Sequence, residues 1–503
     1  MGMASGIWVL LGIWLLGAVA LAAVPPARAR TWSLAVSGAA LLVVLLLAAA
    51  PPVRGSLPWI PAWGAALSVS TGGATLPLLL LTGLLLPLVI IFSPSGAGRL
   101  YYFWILVAGF AAAGLFTTRD LLLFYGFFEA VLLPGYFLLA GWGGPGAPAA
   151  ARRFLVMNLT GSFLMLVGVV ELGLAQAAVL GHPAFGFRAL EHTRLGGAAG
   201  AWTLAAFTLA FAVKAPLWPL HGWMPDAYRE APPPVTALFA GLLSKAGLYG
   251  FLVVVLPFLG RALAPVAPWF LAGASVSLVW GALTALRRTD AKLVATYASL
   301  SHMGMMALGL FSLTPAGMAG ATLLMLAHGL AVGGVFLILG VLEQATGGER
   351  TLGRVGGLAV RAPAFGFWFL FFALAVLGLP GLAGFAGEYL VVQGLVERAW
   401  PAAAVAVAVM VLAAWYMLRL FQGLMQGPRE QPPGVPAGLG AGRGRLWALA
   451  AGGAVLLLLG VWPAGVTARA GPALVRAVRY QLPGTVALAR VPAAPAAEGG
   501  VRR

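Results

Sequence analysis

The chain has no cysteine among its 503 residues, and only 9% of them are charged. The first absence removes thiolate metal sites, cysteine-held iron–sulfur clusters and disulfides, while leaving the compartment open. Electron chemistry therefore belongs elsewhere. The second absence, beside 61% hydrophobic residues, lies outside the range of soluble globular chains and points to a polytopic membrane protein. Lysine is the scarcest cation: Lys214, Lys245 and Lys292 stand among 30 basic residues, so arginine serves almost everywhere else. Met1 to Ala23 lacks a basic leading segment and a clear cleavage site, and reads as a first span rather than a signal peptide.

A span needs roughly 20 apolar residues to cross about 30 Å of hydrocarbon. Fourteen stretches qualify, at 5–23, 33–50, 76–94, 100–117, 120–141, 153–176, 200–224, 233–257, 263–286, 293–313, 316–342, 363–395, 399–422 and 446–466. They must be helices, because backbone in lipid has to satisfy its own hydrogen bonds and no barrel-like alternation is present. The predicted class is an all-α polytopic membrane protein. Gly141 to Pro148 and Gln431 to Gly442 mark loops.

A net charge of +17 raises the question of nucleic acid, but its distribution answers to topology. Odd-numbered loops carry 15 basic residues, including Arg152, Arg153, Arg287, Arg288 and Lys292, and even-numbered loops carry six. The positive-inside rule then puts the odd loops in the cytoplasm and both termini outside. Six arginines from Arg469 to Arg503 run against this, and a thirteen-span arrangement would bring that tail inside.

Lys214, Lys245 and Arg419 are the basic residues left within spans, with Glu129, Glu171 and Glu388 in or near them. A charge at the bilayer centre costs about 2.5 to 3.5 kcal/mol on insertion scales, so such residues face a protein interior and mark ion paths. Lysine can surrender its proton when desolvated, whereas arginine effectively cannot. Proton carriage and a static ion pair are both open to Lys214 and Lys245. Glu171 and Arg419 reach an interface by snorkelling.

In "FAVKAPLWPLHGWMPDAYREAP", Pro216 and Pro219 predict a break of the seventh helix just after Lys214. A second break is predicted in "LGLPGLAGFAGEYL", where Pro380 and four glycines precede Glu388. Broken helices at membrane depth survive where they are buried or line a cavity. A pair of them, each beside an ionisable group, points to paired repeats.

Together with "FYGFFEAVLLPGYFLLAGWGG", "GLLSKAGLYG", "TDAKLVATYASLSHMG" and "LMLAHGLAVGG", these two stretches resemble the antiporter-like subunits of respiratory complex I and their relatives in Mrp-type antiporters and membrane-bound hydrogenases. The likeness runs from about residue 70 to 430 with the motifs in order. M-type members match best, because Glu388 stands where L-type, N-type and Mrp relatives typically carry lysine, and no long lateral C-terminal helix follows residue 466.

The resemblance implies about 14 transmembrane helices with two inverted five-helix repeats and helices 7 and 12 broken. The division would be 1–94, 100–257, 263–422, 446–466 and a tail at 467–503. It implies a proton relay of Glu129, Lys214, Lys245, His302, His328 and Glu388, in which Glu129 pairs with Lys214, the histidines lie between Lys245 and Glu388, and Glu388 ends the path. Either histidine alone is equally well a satisfied core residue. His221 belongs to an uptake path or to the scaffold, and His182 and His192 are loop residues. Trp223, Asp226 and Pro232 fit the family pattern, with a packed loop as the plainer reading. Gly72 and Leu293 depart from it, at positions where an acidic and a second basic residue are common.

No cofactor or metal is expected in this chain; NADH, FMN, iron–sulfur clusters and quinone would belong to other subunits. Expected partners are lipid and the L- and N-type antiporter-like subunits in a cell inner membrane, with no nucleic acid. Rival readings are a subunit of an Mrp antiporter or membrane-bound hydrogenase, and a non-pumping structural subunit of the membrane arm.

Overall fold

The computed structural model describes residues 5–191, 193, 195–426 and 442–468. His192, nearly all of the 431–442 loop and the tail beyond 468 lie outside the described residues.

The chain is mostly helical. In order, α1 is Ser5–Ala20, α2 Ala29–Ala49, α3 Thr75–Phe92, α4 Gly98–Thr117, α5 Leu121–Trp142 and α6 Ala147–Leu180. The seventh is split into α7a, Gly197–Lys214, and α7b, Met224–Glu230. Then come α8 at 233–263, α9 Ala267–Arg287, α10 Ala291–Phe311 and α11 Pro315–Ala345. The twelfth is split into α12a, Pro363–Val376, and α12b, Ala383–Arg398, before α13, Trp400–Met425, and α14, Arg443–Val461. Among the described residues, eleven stretches are long and apolar enough to cross a membrane, one of them 55 residues long, and two shorter apolar helices accompany them. The protein is a multi-pass membrane protein.

Both breaks fall where the prolines and glycines put them. Lys214 is the last residue of α7a, and the chain turns through Pro216 and Pro219 before α7b. In the twelfth helix, Gly378 and Gly381 take positive φ angles of 78° and 92°, a region that side chains disfavour and glycine enters freely.

The sequence expectation has one addition, a short β-hairpin between α2 and α3. β1, Arg54–Ile60, pairs antiparallel with β2, Ala65–Ser70. Asp120 ties it to the bundle: Oδ2 accepts from Ala66 N at 3.0 Å, while Oδ1 caps α5 by accepting from Leu122 N and Leu123 N. The strands are brief and β1 is largely exposed, so the hydrophobic pattern that reveals a strand is missing.

Burial is concentrated in two helices. The most apolar 18-residue window of α11 is 100% buried and that of α10 is 94% buried, against 33% in α13. α10 and α11 are therefore interior helices surrounded by protein, where ionisable side chains escape lipid. Close approach is secured by small residues, as in membrane bundles generally. A Cβ added to Gly329 on α11 would lie 2.6 Å from Gly241 O on α8, and one on Gly241 would lie 2.8 Å from Gly329 O. Backbone thus meets backbone at that crossing, within four residues of Lys245 and beside His328.

Candidate proton-conducting site

Lys214 ends α7a with its helix interrupted behind it. Pro216 supplies no N–H, so Leu217 N takes the carbonyl of Ala212 at 2.9 Å, and the carbonyl of Val213 thus set free is taken by Trp223 Nε1 at 2.8 Å. Trp223 is 2% exposed, so it does more than fill a loop: it satisfies backbone that the break sets free. Asp226 pairs with Arg153 at a half-exposed position.

The Lys214 side chain, 4% exposed, directs Nζ to the face of Phe128 at 4.6 Å from the ring centroid. Glu129, the next residue, is near enough to act on Lys214 electrostatically, but no ion pair within 4 Å joins them among the described residues. Glu129 Oε1 is buried without a hydrogen-bond partner in the protein. The cation is held by an aromatic face, an attraction that strengthens with desolvation, and the carboxylate stands apart. Nothing in the sequence singles out Phe128 for this role.

Lys245 lies between two π-helical turns, Phe239–Leu243 and Phe251–Val255. The wider turn shifts backbone partners by one residue, and such bulges recur at functional sites. Here Ala240 O accepts from Lys245 Nζ at 2.5 Å. Nζ also reaches Ser244 Oγ at 3.3 Å and His328 Nδ1 at 3.0 Å. Three donors meet three acceptors, the full capacity of an ammonium. With Nδ1 accepting, the proton of neutral His328 sits on Nε2, an atom that is buried and lacks a partner in the protein.

From His328 the series continues by ring contact. Its ring stacks on that of His302 at 5.0 Å between centroids and 27° between planes. His302 Nδ1 donates to Ala298 O at 2.9 Å, and Nε2 lies 3.4 Å from Glu388 Oε1. With Nδ1 committed as donor, the proton between Nε2 and Oε1 rests on either side: imidazolium with carboxylate, or imidazole with carboxylic acid. Both residues are buried, His302 at 5% and Glu388 at 2% exposure.

The structure thus brings together Lys245, His328, His302 and Glu388, in that order. Lys214 and Glu129 form a separate cluster, and no contact links Lys214 to Lys245, although Gly247 of α8 packs on Ala215. His221 sits half-buried in the α7 break with Nδ1 unpartnered. His182 is an exposed loop residue bonded to Pro183 O. Arg419 donates to Leu286 O and Arg288 O at the end of α9. Glu171 is half-buried on α6.

Lys292 is the residue that sequence reasoning undervalued. Expected as a loop cation, it is 3% exposed and donates to Ala231 O at 2.5 Å and Arg229 O at 3.2 Å, closing the end of α7b. All three lysines are therefore buried, which the preference for arginine elsewhere already signalled. At Gly72, where an acidic residue is common, Arg119 Nη2 takes the backbone carbonyl at 3.1 Å. Leu293 N joins Lys292 N in capping on Asp290.

Comparison with known proteins identifies the family. The profile of the family described as "NADH:quinone oxidoreductase/Mrp antiporter, TM" matches residues 118–413. NADH-quinone oxidoreductase subunit M of Mycobacterium tuberculosis is 35% identical over 456 residues, 83% of this chain and 82% of that protein. Subunit 13 of the Thermus thermophilus NADH-quinone oxidoreductase is 39% identical over 352 residues, 70% of this chain and 72% of that one. A chain of respiratory complex I from Thermus thermophilus with bound NADH superposes with a TM-score of 0.87 at 31% identity, covering 94% of this chain and 99% of that chain. A chain of the Mrp complex from Dietzia shares the fold, with a TM-score of 0.84 at 23% identity over 96% of this chain and 98% of that one. The chain belongs to the NADH:quinone oxidoreductase/Mrp antiporter transmembrane family. Its curated relatives are complex I membrane subunits of the M, or chain 4, type.

Proposed function

We propose that this chain is a proton-translocating membrane subunit of an NADH:quinone oxidoreductase, in which quinone reduction elsewhere drives protons along Glu129, Lys214, Lys245, His328, His302 and Glu388. The observation that carries the reading is the contiguous buried series from Lys245 to Glu388, four titratable groups in contact through 3.0 Å, stacked-ring and 3.4 Å steps. A structural bridge has no use for such a series, because each buried ionisable group is costly.

The remaining assignments follow the same reading. Fourteen crossings comprise N-terminal helices at 1–94, a first five-helix repeat at 100–257, an inverted second repeat at 263–422 and a last helix at 446–466. The chain lies in a cell inner membrane with both termini outside, beside L- and N-type antiporter-like subunits. NADH, FMN, iron–sulfur clusters and quinone act in other subunits. Glu388 in place of lysine favours this assembly over an Mrp antiporter or a membrane-bound hydrogenase.

The groups act as follows. A nearby carboxylate stabilises an ammonium and desolvation destabilises it, so separating Glu129 from Lys214 makes Lys214 a stronger acid. Its proton passes across α8 through water to Lys245. Lys245 protonates His328 at Nδ1, His328 releases the proton from Nε2, and the His302–Glu388 pair, once it has given up its own shared proton, receives this one between Nε2 and Oε1. Each transfer moves one proton; His328 is left with its proton on Nδ1 and returns to the Nε2 tautomer before Lys245 can protonate it again.

The test is Lys245→Met in the assembled complex, which keeps an unbranched chain of similar length and deletes the amine. Intact complex on native gels with coupled proton uptake into vesicles reduced by about tenfold or more is the expected outcome. Wild-type uptake per NADH oxidised would remove Lys245 from the path.

A further inference from the structure

Beyond Glu388 the structure contains a small cavity between α9, α10, α12b and α13, with about 10 Å³ of room for the centre of a water molecule. Apolar residues line most of it, among them Leu278, Met305 and Ala413, and its polar lining is Ser301, His302, Glu388 and Tyr416. Two of those side chains are incompletely satisfied. Glu388 Oε2, the oxygen not facing His302, is buried with no hydrogen-bond partner in the protein, and so is the hydroxyl of Tyr416. Tyr416 is 1% exposed. Ser301 spends its own hydrogen on Leu278 O at 2.8 Å and keeps its lone pairs as acceptors for Tyr416.

An unpaired buried carboxylate oxygen or phenol costs on the order of 1 to 3 kcal/mol, and buried polar groups in native proteins are paired with protein or ordered water. Tyr416 can also donate to Ser301 Oγ, which leaves water as the partner open to Glu388 Oε2 and to the lone pairs of Tyr416, and the cavity has room for about one water. Tyrosine suits the position, because its hydroxyl both donates and accepts while its ring fills an apolar wall. Phenylalanine would pack as well and offer no polar atom.

We propose that Tyr416 is a positioning residue for proton release: its hydroxyl holds water against Glu388 Oε2, and the proton leaves Glu388 through that water. Oε1 then faces the supply side at His302 and Oε2 the release side, so that one carboxyl group separates the two directions. Rotation of the carboxyl group carries the proton taken up on Oε1 to the release side, where it passes to water and leaves a carboxylate, and Tyr416 stays neutral. This inference rests on the relay reading above and adds a residue to it.

The test uses Tyr416→Phe in the complete complex, with Glu388→Gln measured alongside. Native-gel abundance near wild type is expected, with proton release per NADH reduced several-fold and its pH profile and solvent isotope effect altered, because the acceptor of the Glu388 proton has changed. A second variant, Ala413→Val, narrows the same cavity and leaves both polar groups in place; it should reproduce the loss, and it decides the matter if Tyr416→Phe fails to assemble. Wild-type release and pH profile in Ala413→Val or in an assembled Tyr416→Phe, while Glu388→Gln is defective, would overturn the role of Tyr416 and keep the relay. A normal Glu388→Gln would instead sink the relay itself.

Discussion

His302 Nε2 and Glu388 Oε1 lie 3.4 Å apart in the buried centre of the second half of the chain, with His302 Nδ1 fixed on Ala298 O. Their relationship makes the pair a single proton site with two resting positions. Replacing His302 by Phe keeps an aromatic ring against His328 and removes both nitrogens, leaving Glu388 without its partner. Breaking a buried ionic pair costs about 3 to 5 kcal/mol when a charge is stranded. The expected outcome is lowered thermal stability of the assembled complex together with lost pumping, read by thermal melts and vesicle assays. A stable, pumping His302→Phe complex would make the imidazole dispensable.

Gly378 stands at the α12 break with a φ of 78°, and a Cβ there would collide with the Glu388 carboxylate. Gly378→Ala is expected to cost about 1 to 3 kcal/mol from backbone strain and to displace Glu388 from His302. Proton uptake should fall further than Gly381→Ala produces, since Gly381 has no atom within 4 Å of its Cβ position. Equal effects of the two variants would show that only backbone conformation matters at this break.

Much of this arrangement was legible in the sequence, for identifiable reasons. Pro216 and Pro219, spaced three apart, and Pro380 among glycines each remove a backbone donor and crowd the preceding turn, a combination that breaks the helix where the lone Pro87 inside α3 does not, so both breaks stand where expected. Lys214, Lys245 and Glu388 are conspicuous because lipid makes ionisable groups rare. What composition does not encode is the order of long-range neighbours: that His328 precedes His302 depends on how α10 and α11 cross. The π-turns around Lys245 follow from tertiary packing, and the phenyl face under Lys214 is one of 27 phenylalanines without a mark of its own. Lys292 was misjudged because a cation near a helix start reads as loop, while its burial depends on the carbonyls of Arg229 and Ala231 arriving from α7b.

Replacing Pro216 and Pro219 together with alanine should extend α7a past Lys214 and take Trp223 from the carbonyl of Val213. Coupled activity is expected to drop while total assembled complex changes less, as judged by NADH:quinone turnover against native-gel abundance. Unaltered turnover with a continuous seventh helix in a solved structure would show the break to be incidental.

Lys214 rests on the ring of Phe128 rather than on a carboxylate within 4 Å, which separates charge from proton carriage. Lys214→Arg retains a cation for that face, yet its guanidinium holds its proton at every physiological pH. The arginine variant is expected to assemble and to pump as poorly as Lys214→Ala. Near wild-type pumping by Lys214→Arg beside a defective Lys214→Ala would mean that this lysine supplies charge alone.

The most direct measurement is the number of protons moved per NADH oxidised by the complex carrying Glu388→Gln in sealed vesicles. The amide is cheaper to bury than a carboxylate and fills nearly the same space, so assembly should persist, while it cannot take up and release a proton. If the buried series from Lys245 to Glu388 carries protons, both the stoichiometry and the coupled rate fall. An assembled Glu388→Gln complex with unchanged proton-to-electron stoichiometry would contradict that claim.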